Sequence, residues 1–218
     1  MTDSKDPTLS FEIPLWQRDV IYIAGIDEAG RGALAGPVMA GAVILPADPD
    51  LCEKLKGVRD SKLMTPRKRE EMAGLIRSSA VSWAVGEASE QEIDEMNILN
   101  ATKTAMRRAI AALSPVPQHL LIDYVHLEKS PIPQTSIKFG DRLSLSIACA
   151  SILAKVTRDH RMTDEYALRY PEYGFEKHKG YGTASHLAAI AAHGLSTAHR
   201  QTFRIKSESS EQMPLPFG

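Results

Sequence analysis

The chain has little cysteine, no long apolar run and no signal-peptide pattern, and each of these absences excludes a class of protein. Cys52 and Cys149 are the only cysteines among 218 residues, which excludes a disulfide-stabilised scaffold and indicates a reducing, cytoplasmic compartment. The longest uncharged run, residues 32–47, is shorter than a membrane span and contains glycine and proline, so no membrane segment is predicted. The opening residues MTDSKDPTLSFEIP lack the basic and apolar regions of a signal peptide.

An excess of positive charge is also absent. The formal net charge of −1 excludes a protein that binds nucleic acid through global basicity, so phosphate contacts must come from local patches. A composition of 43% hydrophobic and 24% charged residues is typical of a soluble globular protein with a substantial core. The length favours one domain. We expect it over residues 20–204, between an N-terminal lead, residues 1–19, and a flexible polar tail, residues 205–218.

The order of apolar segments along the chain predicts an α/β fold. Runs rich in β-branched and apolar residues predict five strands, at 20–26, 36–45, 81–87, 119–123 and 136–139. Helical periodicity with capping signals predicts four helices, at 66–79, 90–113, 144–169 and 183–193. Three strands come before strands that alternate with helices, and this order favours a mixed sheet with helices on its faces.

Four carboxylates follow or end predicted strands. Asp27 and Glu28 end the first strand, Asp123 ends the fourth and Asp141 follows the fifth. Because successive strand residues point to opposite faces, Asp27 and Glu28 share a site only if the strand ends or bulges between them. Four converging acids repel one another unless cations lie between them, and hard ions such as Mg²⁺ or Mn²⁺ suit such a cluster. For each acid taken alone, a solvated turn or cap residue is the alternative.

The turn Gly30-Arg31-Gly32 after the first strand makes that cluster more specific. Glycine permits positive φ and exposes backbone groups to a ligand, and arginine suits a phosphate. A dinucleotide-binding loop is the competing interpretation. The spacing Gly30-x-Gly32-x-x-x-Gly36 differs from its motif, however, and a predicted strand follows where that fold needs a helix.

Two basic segments are further candidates for phosphate contact. RDSK, residues 59–62, and HKGYGT, residues 178–183, each place lysine near a turn or helix start. Tyr181, between two glycines, suits stacking on a sugar or base. The alternatives are an ordinary solvated face and a packed loop tyrosine.

Taken together, these motifs resemble those of the ribonuclease HII family, the bacterial type 2 ribonucleases H. The similarity covers nearly the whole chain beyond residue 20. The matching segments are GIDEAGRG (25–32), DSKLMT (60–65), LIDYVHL (121–127), GDRLSLSIACASILAKVTRD (140–159), GFEKHKGYGTASHL (174–187) and HRQTF (199–203).

The resemblance implies an RNase H-like fold, a five-stranded mixed sheet flanked by helices with a helical C-terminal part. It also implies a monomeric endoribonuclease that hydrolyses the RNA strand of RNA–DNA hybrids. Such an enzyme cuts 5′ of ribonucleotides embedded in duplex DNA, uses two Mg²⁺ or Mn²⁺ ions, and leaves 3′-hydroxyl and 5′-phosphate ends. The alternatives are another RNase H-fold nuclease that acts on DNA structures and a hybrid-binding module without catalysis.

The resemblance further implies roles for individual residues. The metal-binding, catalytic carboxylates would be Asp27, Glu28, Asp123 and Asp141. Among the substrate-binding residues, Gly30, Arg31 and Gly32 would read the ribose 2′-hydroxyl, and Tyr181 would stack at the RNA–DNA junction. Ser61, Lys62 and Lys155 would contact a phosphate or support the site. Tyr124 departs from the family, which more often has a small residue after the third acid.

The last residues carry a separate short motif. QMPLPF, residues 212–217, resembles the peptides that dock into the bacterial sliding clamp, with Gln212, Leu215 and Phe217 as the contact residues. A flexible tether with two apolar anchors suits capture of a peptide in a groove. The alternative is a polar tail whose apolar residues are accidental.

Overall fold

The structure, a computed structural model, describes residues 6–205. The predicted clamp-binding residues Gln212, Leu215 and Phe217 lie outside that range. Within it, every helix is too short or too polar to cross a membrane.

A five-stranded sheet forms the centre of the molecule. Its strands are β1 (Ile23–Ala29), β2 (Val38–Ile44), β3 (Ser82–Ala88), β4 (His119–Asp123) and β5 (Gln134–Ile137). The order across the sheet is β3-β2-β1-β4-β5. The first three strands pair antiparallel, whereas β4 runs parallel to β1 and β5 runs parallel to β4. The predicted mixed sheet is therefore confirmed.

Helices cover both faces of the sheet and form the C-terminal part. They are α1 (Ile13–Trp16), α2 (Leu51–Lys54), α3 (Pro66–Ser79), α4 (Glu90–Met96), α5 (Ile98–Ala111), α6 (Leu145–Arg161), α7 (Ala167–Arg169), α8 (Phe175–His178) and α9 (Ala184–His193). Shorter turns of 3₁₀ helix span Ser61–Leu63, Gly140–Arg142 and Pro171–Tyr173.

Helix α6 packs directly against the backbone of β1 and β2. A Cβ atom on Gly25 would lie 2.1 Å from the carbonyl carbon of Ser146, and one on Gly41 would lie 2.3 Å from the carbonyl oxygen of Ala150. Only glycine fits at such distances. Helix α5 covers the opposite face, so the residues of β1 alternate between two buried environments: Ala24 and Ile26 pack with α5, and Ile23 packs with Ile147 of α6.

Two predicted helices are interrupted. The helix expected over 90–113 is broken at Asn97, whose φ is 71°. The Asn97 side chain then accepts hydrogen bonds from the N–H groups of Leu99 and Asn100 and caps α5. The helix expected over 144–169 ends at Arg161 and continues through a π-helical turn, Met162–Tyr166, into α7. Helical periodicity runs through both interruptions, which is why the sequence did not reveal them.

Part of the N-terminal lead packs onto the domain. Leu9 lies in the core, and Thr8 forms a bridge to Ser144 at the start of α6. The buried Glu12 carboxylate accepts hydrogen bonds from the hydroxyls of Ser144 at 2.6 Å and Ser146 at 2.7 Å. These contacts tie the lead to the N-terminus of α6, where a carboxylate is favourable.

Three buried histidines organise the C-terminal part. The rings of His178 and His186 stack with centroids 4.4 Å apart, and Nε2 of His186 lies 3.1 Å from Nε2 of His199. Since Nδ1 of His186 must donate to the carbonyl of Tyr181 at 3.0 Å, its Nε2 accepts the proton of His199. The arrangement requires a neutral His186, and burial lowers the pKa of that ring from 6.5 to about 4.

His186 is expected to make folding stability depend on acid. Because its folded pKa lies below its unfolded pKa, the unfolded chain binds more protons between pH 6.5 and 4, and stability falls as the pH is lowered through that window. We expect His186→Asn to remove about 2 kcal/mol of the difference in unfolding free energy between pH 7.5 and pH 5. Urea denaturation at both values measures it. His193→Gln, on the exposed end of α9, is the control, and an identical pH dependence in His186→Asn would contradict the assignment.

Candidate active site

Asp27 and Glu28 lie near the end of β1 on opposite faces of the sheet. The strand neither ends nor bulges between them, so the condition set for a shared site is not met: β1 continues to Ala29 with Asp27 opposite Gly41 and Glu28 opposite Ala40. Asp27 therefore shares the face of helix α6. The two carboxylates still interact, because the charge of Glu28 raises the pKa of Asp27. The charge of Asp123 raises the pKa of both. Their common position at the end of the strand brings them together.

Asp123 and Asp141 reach the same rim from neighbouring elements. Asp123 is the last residue of β4, which runs parallel to β1, so the carboxyl ends of both strands meet at one edge. The N–H of Gly140 donates to Oδ1 of Asp123 at 2.7 Å. Asp141 follows in the 3₁₀ turn that leads into α6. The structure thus brings together all four predicted acids.

Ionising these four acids costs free energy, because they are buried and lie near one another. Burial raises the pKa of Asp27 well above its usual value, and the nearby charges of Glu28 and Asp123 raise it further. Burial also raises the pKa of Glu28 against the lowering effect of Arg31. It raises the pKa of Asp123. For Asp141, burial is joined by repulsion from Asp60 and Asp123. A cluster of this kind is stabilised by cations.

One lysine already supplies a positive charge among the acids. Burial lowers the pKa of Lys62, but attraction to Asp27, Asp141 and other acids outweighs it, and the net pKa is raised. Beside it, the buried Asp60 accepts from the Lys62 N–H at 3.0 Å and pairs with Arg142 at 3.1 Å. Asp60 is a site residue that the sequence analysis missed, although its place in the DSK motif was a signal.

The acids suit a divalent metal by their chemistry. Within residues 6–205, no three histidine, cysteine or acidic side chains are disposed to hold one ion as they stand. Glu28 is turned to Arg31, whose Nη1 lies 3.2 Å from its Oε1, and Asp123 is turned to Gly140. However, Oε2 of Glu28 is buried without a hydrogen-bond partner in the described part of the chain. Such carboxylate oxygens are the ligands that Mg²⁺ and Mn²⁺ prefer.

A cavity of about 440 Å³ opens beside Glu28. All seven predicted substrate residues line it, together with Glu28 and Ala29: Gly30, Arg31, Gly32, Ser61, Lys62, Lys155 and Tyr181. Asp27, Asp123 and Asp141 are not among its lining residues. Glu28 and Lys62 line the cavity and also interact with these acids, Glu28 with Asp123 and Lys62 with all three.

Ser61 and Tyr181 contact other parts of the site through helix α6. The Ser61 hydroxyl lies 3.0 Å from that of Ser151, which in turn hydrogen-bonds the Asp27 side chain. Ser61 therefore supports Asp27 indirectly. Lys155 and Arg158 place their charges 5.3 and 5.2 Å from the centre of the Tyr181 ring, within the range of cation–π attraction. Ser151 and Arg158 lie in the ACASILAKVTRD segment, and sequence reasoning gave neither a role at the site.

Tyr124 lies beside the acids with an unusual backbone. Its φ is 57° and its side chain is 67% exposed. The left-handed conformation is uncommon for a tyrosine. Its N–H still bonds the Ile137 carbonyl at 2.9 Å, so the departure leaves the end of β4 paired with β5.

Comparison with known sequences gives one consistent family. A family model described as Ribonuclease HII matches residues 24–206. Ribonuclease HII of Desulfitobacterium hafniense is 53% identical over 192 residues, covering 88% of this chain and 72% of the relative. Ribonuclease HII of Geobacter sulfurreducens is 53% identical over 194 residues, covering 89% and 87%.

Solved structures agree with that similarity. Ribonuclease H2 from Pyrococcus horikoshii superposes with a TM-score of 0.69 at 26% identity, covering 84% of this chain and 94% of the other. RNase HII of Archaeoglobus fulgidus, solved as a PCNA:RNase HII complex, gives 0.68 at 26% identity, covering 82% and 92%. A Bst-RNase HIII in complex with Mn²⁺ gives 0.53 at 18% identity over 79% of this chain and 70% of that one, which shows the shared fold alone.

Neutralising Asp27 is expected to stabilise the metal-free protein. Because burial and neighbouring acids raise its pKa, ionised Asp27 destabilises the fold at pH 8, and this cost disappears as the pH falls through the raised pKa. We expect Asp27→Asn to raise the unfolding free energy in chelator at pH 8, because the variant removes a buried charge that its neighbours repel. Adding Mg²⁺ should stabilise the original protein but not the variant.

Urea denaturation with chelator and with Mg²⁺ measures both effects. Glu172→Gln, which removes an exposed acid from the C-terminal part, is the matched control and should change neither. A less stable Asp27→Asn in chelator would show that the acids are not under mutual repulsion, and an equal response to Mg²⁺ would show that Asp27 does not hold the ion.

Proposed function

The chain belongs to the ribonuclease HII family, and from this membership we propose that it cuts on the 5′ side of ribonucleotides embedded in duplex DNA. It is a metal-dependent endoribonuclease that acts on the RNA of RNA–DNA hybrids. The proposal adds the position of the cut, the single ribonucleotide as substrate and the use of two ions. The products would carry 3′-hydroxyl and 5′-phosphate ends.

The observation that carries the proposal is that a cluster of acids lies next to a cavity suited to a sugar. Four carboxylates meet at one rim of the sheet, and the cavity next to them is lined by the Gly30-Arg31-Gly32 turn and Tyr181. The acids supply ligands for ions, while the turn and the aromatic ring supply contacts to a sugar. A nuclease for DNA structures would use the same acids without needing the turn or Tyr181.

The four acids would hold two divalent ions. We assign one ion mainly to Asp27 and Asp141 and the other to Glu28 and Asp123. When bound, Mg²⁺ or Mn²⁺ activates the attacking water and stabilises the leaving 3′-oxygen. The donor set supports either ion. The Mn²⁺ complex of Bst-RNase HIII concerns a distant relative that shares the fold.

The chain's own groups orient the substrate strand. Nη1 of Arg31 lies 3.2 Å from Oε1 of Glu28, so a Glu28 side chain that turns to an ion releases Arg31 for a phosphate of the cleaved strand. In this proposal, backbone groups of Gly30 and Gly32 contact the 2′-hydroxyl. Tyr181 stacks on the nucleotide beside it. Lys155, whose Nζ lies 5.3 Å from the centre of the Tyr181 ring and 2.6 Å from Oδ1 of Asp159, supplies a positive charge for a phosphate nearby.

A duplex with one ribonucleotide tests this function directly. We expect a single cut 5′ of that ribonucleotide in Mg²⁺, no cut in chelator, and no cut in the all-DNA duplex. Asp27→Asn should lower the rate at least about a thousandfold, because the loss of a metal ligand removes several kcal/mol of transition-state stabilisation. Hybrid binding should remain largely intact.

The control is Glu172→Gln, whose side chain is exposed and outside the site. Cleavage of the all-DNA duplex would favour a structure-specific DNA nuclease. Binding without cleavage in any metal would favour a binding module. Near-normal turnover by Asp27→Asn in Mg²⁺ would contradict the assignment of the acids.

We also propose a cytoplasmic monomer that binds the sliding clamp through its tail. The free cysteines Cys52 and Cys149 support the compartment. The solved PCNA:RNase HII complex of Archaeoglobus fulgidus shows that a relative binds such a clamp. In this chain, Gln212, Leu215 and Phe217 are the proposed contact residues.

Deleting residues 211–218 is expected to abolish capture of the chain by immobilised clamp and to leave hydrolysis unchanged. The reason is that the apolar anchors lie outside the catalytic domain. The full-length double substitution Leu215→Ala with Phe217→Ala should reproduce the loss. Undiminished capture of both variants would refute the tail as the binding segment.

A further inference from the structure

Two arginines are buried next to the cavity and donate only to backbone carbonyls. Arg158 is 0% exposed and Arg200 is 1% exposed. Every hydrogen bond that either guanidinium donates within residues 6–205 ends on a carbonyl oxygen. Burying a charge is costly unless it is well satisfied, so the contacts made by these two side chains call for an explanation.

Arg200 binds the Gly30-Arg31-Gly32 turn from the buried side. Its Nη2 donates to the Gly30 carbonyl at 2.7 Å and its Nη1 to the Arg31 carbonyl at 2.9 Å. Its Nε donates to the Gly36 carbonyl at 3.0 Å. The planar guanidinium of Arg200 therefore binds the carbonyls at both ends of the loop that follows β1.

These contacts determine where the amides of the turn point. In a trans peptide the C=O and N–H groups point in opposite directions, and the peptide bonds of this turn are trans. Since the carbonyls of Gly30 and Arg31 face the buried Arg200, the N–H groups of Arg31 and Gly32 point away from it, toward the cavity. Arg200 thus leaves two backbone donors facing the cavity that the turn lines.

Arg158 connects the same loop to the segment that carries Tyr181. It donates to the carbonyls of Ala35 at 3.0 Å, Pro37 at 2.9 Å and Lys179 at 2.9 Å. The φ of Gly30 is 95°, and a Cβ there would lie 2.1 Å from Nε of Arg158. The guanidinium therefore lies against the turn and the Tyr181 ring at once.

We infer that Arg200 and Arg158 are positioning residues that set the preference for a ribonucleotide over a deoxyribonucleotide. Arg200 orients the amides of the turn, and Arg158 fixes the turn relative to Tyr181. This inference rests on the proposed function, because it assumes that the turn and Tyr181 contact the sugar at the junction. Neither arginine lines the cavity, so both act through the groups they hold.

Lysine is a poor replacement at these positions. A lysine places its donors on one point and cannot span carbonyls on two sides as a planar fork does. Burial, and then repulsion from Arg158, lower the pKa of Arg200 to about 9. An ammonium group starts from a lower pKa than a guanidinium, so a lysine here would lose its charge more readily.

The main test compares two duplexes of one sequence in Arg200→Lys. The KM for the duplex with one ribonucleotide is measured against the Ki of the all-DNA duplex used as a competitor. We expect the preference, Ki divided by KM, to fall about tenfold, which is the loss of a backbone hydrogen bond or two. The Ki itself should stay unchanged, because nonspecific binding depends on phosphate contacts.

Two control variants separate positioning from stability. Arg108→Lys alters an arginine that also donates to a backbone carbonyl, that of Glu87 at 2.6 Å, but lies on α5. Leu113→Ala removes buried apolar volume after α5 and destabilises the fold without touching the cavity. Both should keep the preference of the original protein.

Arg158→Lys tests the link to Tyr181. It should lower the preference in the original protein and have a smaller effect in a Tyr181→Ala background, because the two residues act together. Equal effects in both backgrounds would overturn the role assigned to Arg158.

A measurement on the unaltered protein covers the case in which the arginine variants do not fold. Hydrogen exchange of the Arg31 and Gly32 amides should be fast in the free protein and slowed at least tenfold by the ribonucleotide duplex, but not by the all-DNA duplex. Strong protection in the free protein would overturn the inference. So would a folded Arg200→Lys that keeps its preference within twofold.

These outcomes are distinct from failure of the proposed function. If the unaltered protein shows no preference for the duplex with one ribonucleotide, the proposed function fails. If it shows the preference and the arginine variants retain it, the function stands and only the positioning role is refuted.

Discussion

The packing of helix α6 on β1 and β2 is the contact on which the site depends. It is close because Gly25 and Gly41 leave no side chain between the helix and the sheet. Its N-terminus follows the turn that carries Asp141. Farther along, Ser151, Lys155 and Arg158 follow one another at helical spacing, so one face of the helix supports Asp27, the cavity and the Tyr181 ring.

This packing holds like charges together at the rim of the sheet. Burial and mutual repulsion raise the pKa values of Asp27 and Asp141, and the fold tolerates the cost because the acids come from rigid elements. Lys62 offsets part of it. The remaining repulsion between the acids favours divalent cations, because a bound ion replaces that repulsion with coordination by the carboxylates. A preorganised but destabilised site is a common feature of catalytic centres.

The helical C-terminal part completes the site because its side chains fix the orientation of backbone carbonyls beside the cavity. Arg200 comes from the segment after α9 and reaches the loop after β1, while His186 holds the carbonyl of Tyr181. Neither side chain lines the cavity. They place polar groups of the backbone around it, and backbone groups held in this way are rigid donors and acceptors for a ligand.

The sequence by itself determined the approximate positions of the five strands, the starts of the four predicted helices among the nine described, and which acids and loop residues lie together at one rim. Strand periodicity, caps and motif spacing are local, and residues beside one another in the chain carry them. Only the tertiary structure decided the continuous register through Asp27 and Glu28, the break at Asn97 and the burial of Glu12. It alone revealed the contacts of Arg158 and Arg200. Those depend on partners far away in the chain, such as the pairing of Arg200 with Gly30, and no local pattern encodes which distant carbonyl a buried donor will reach.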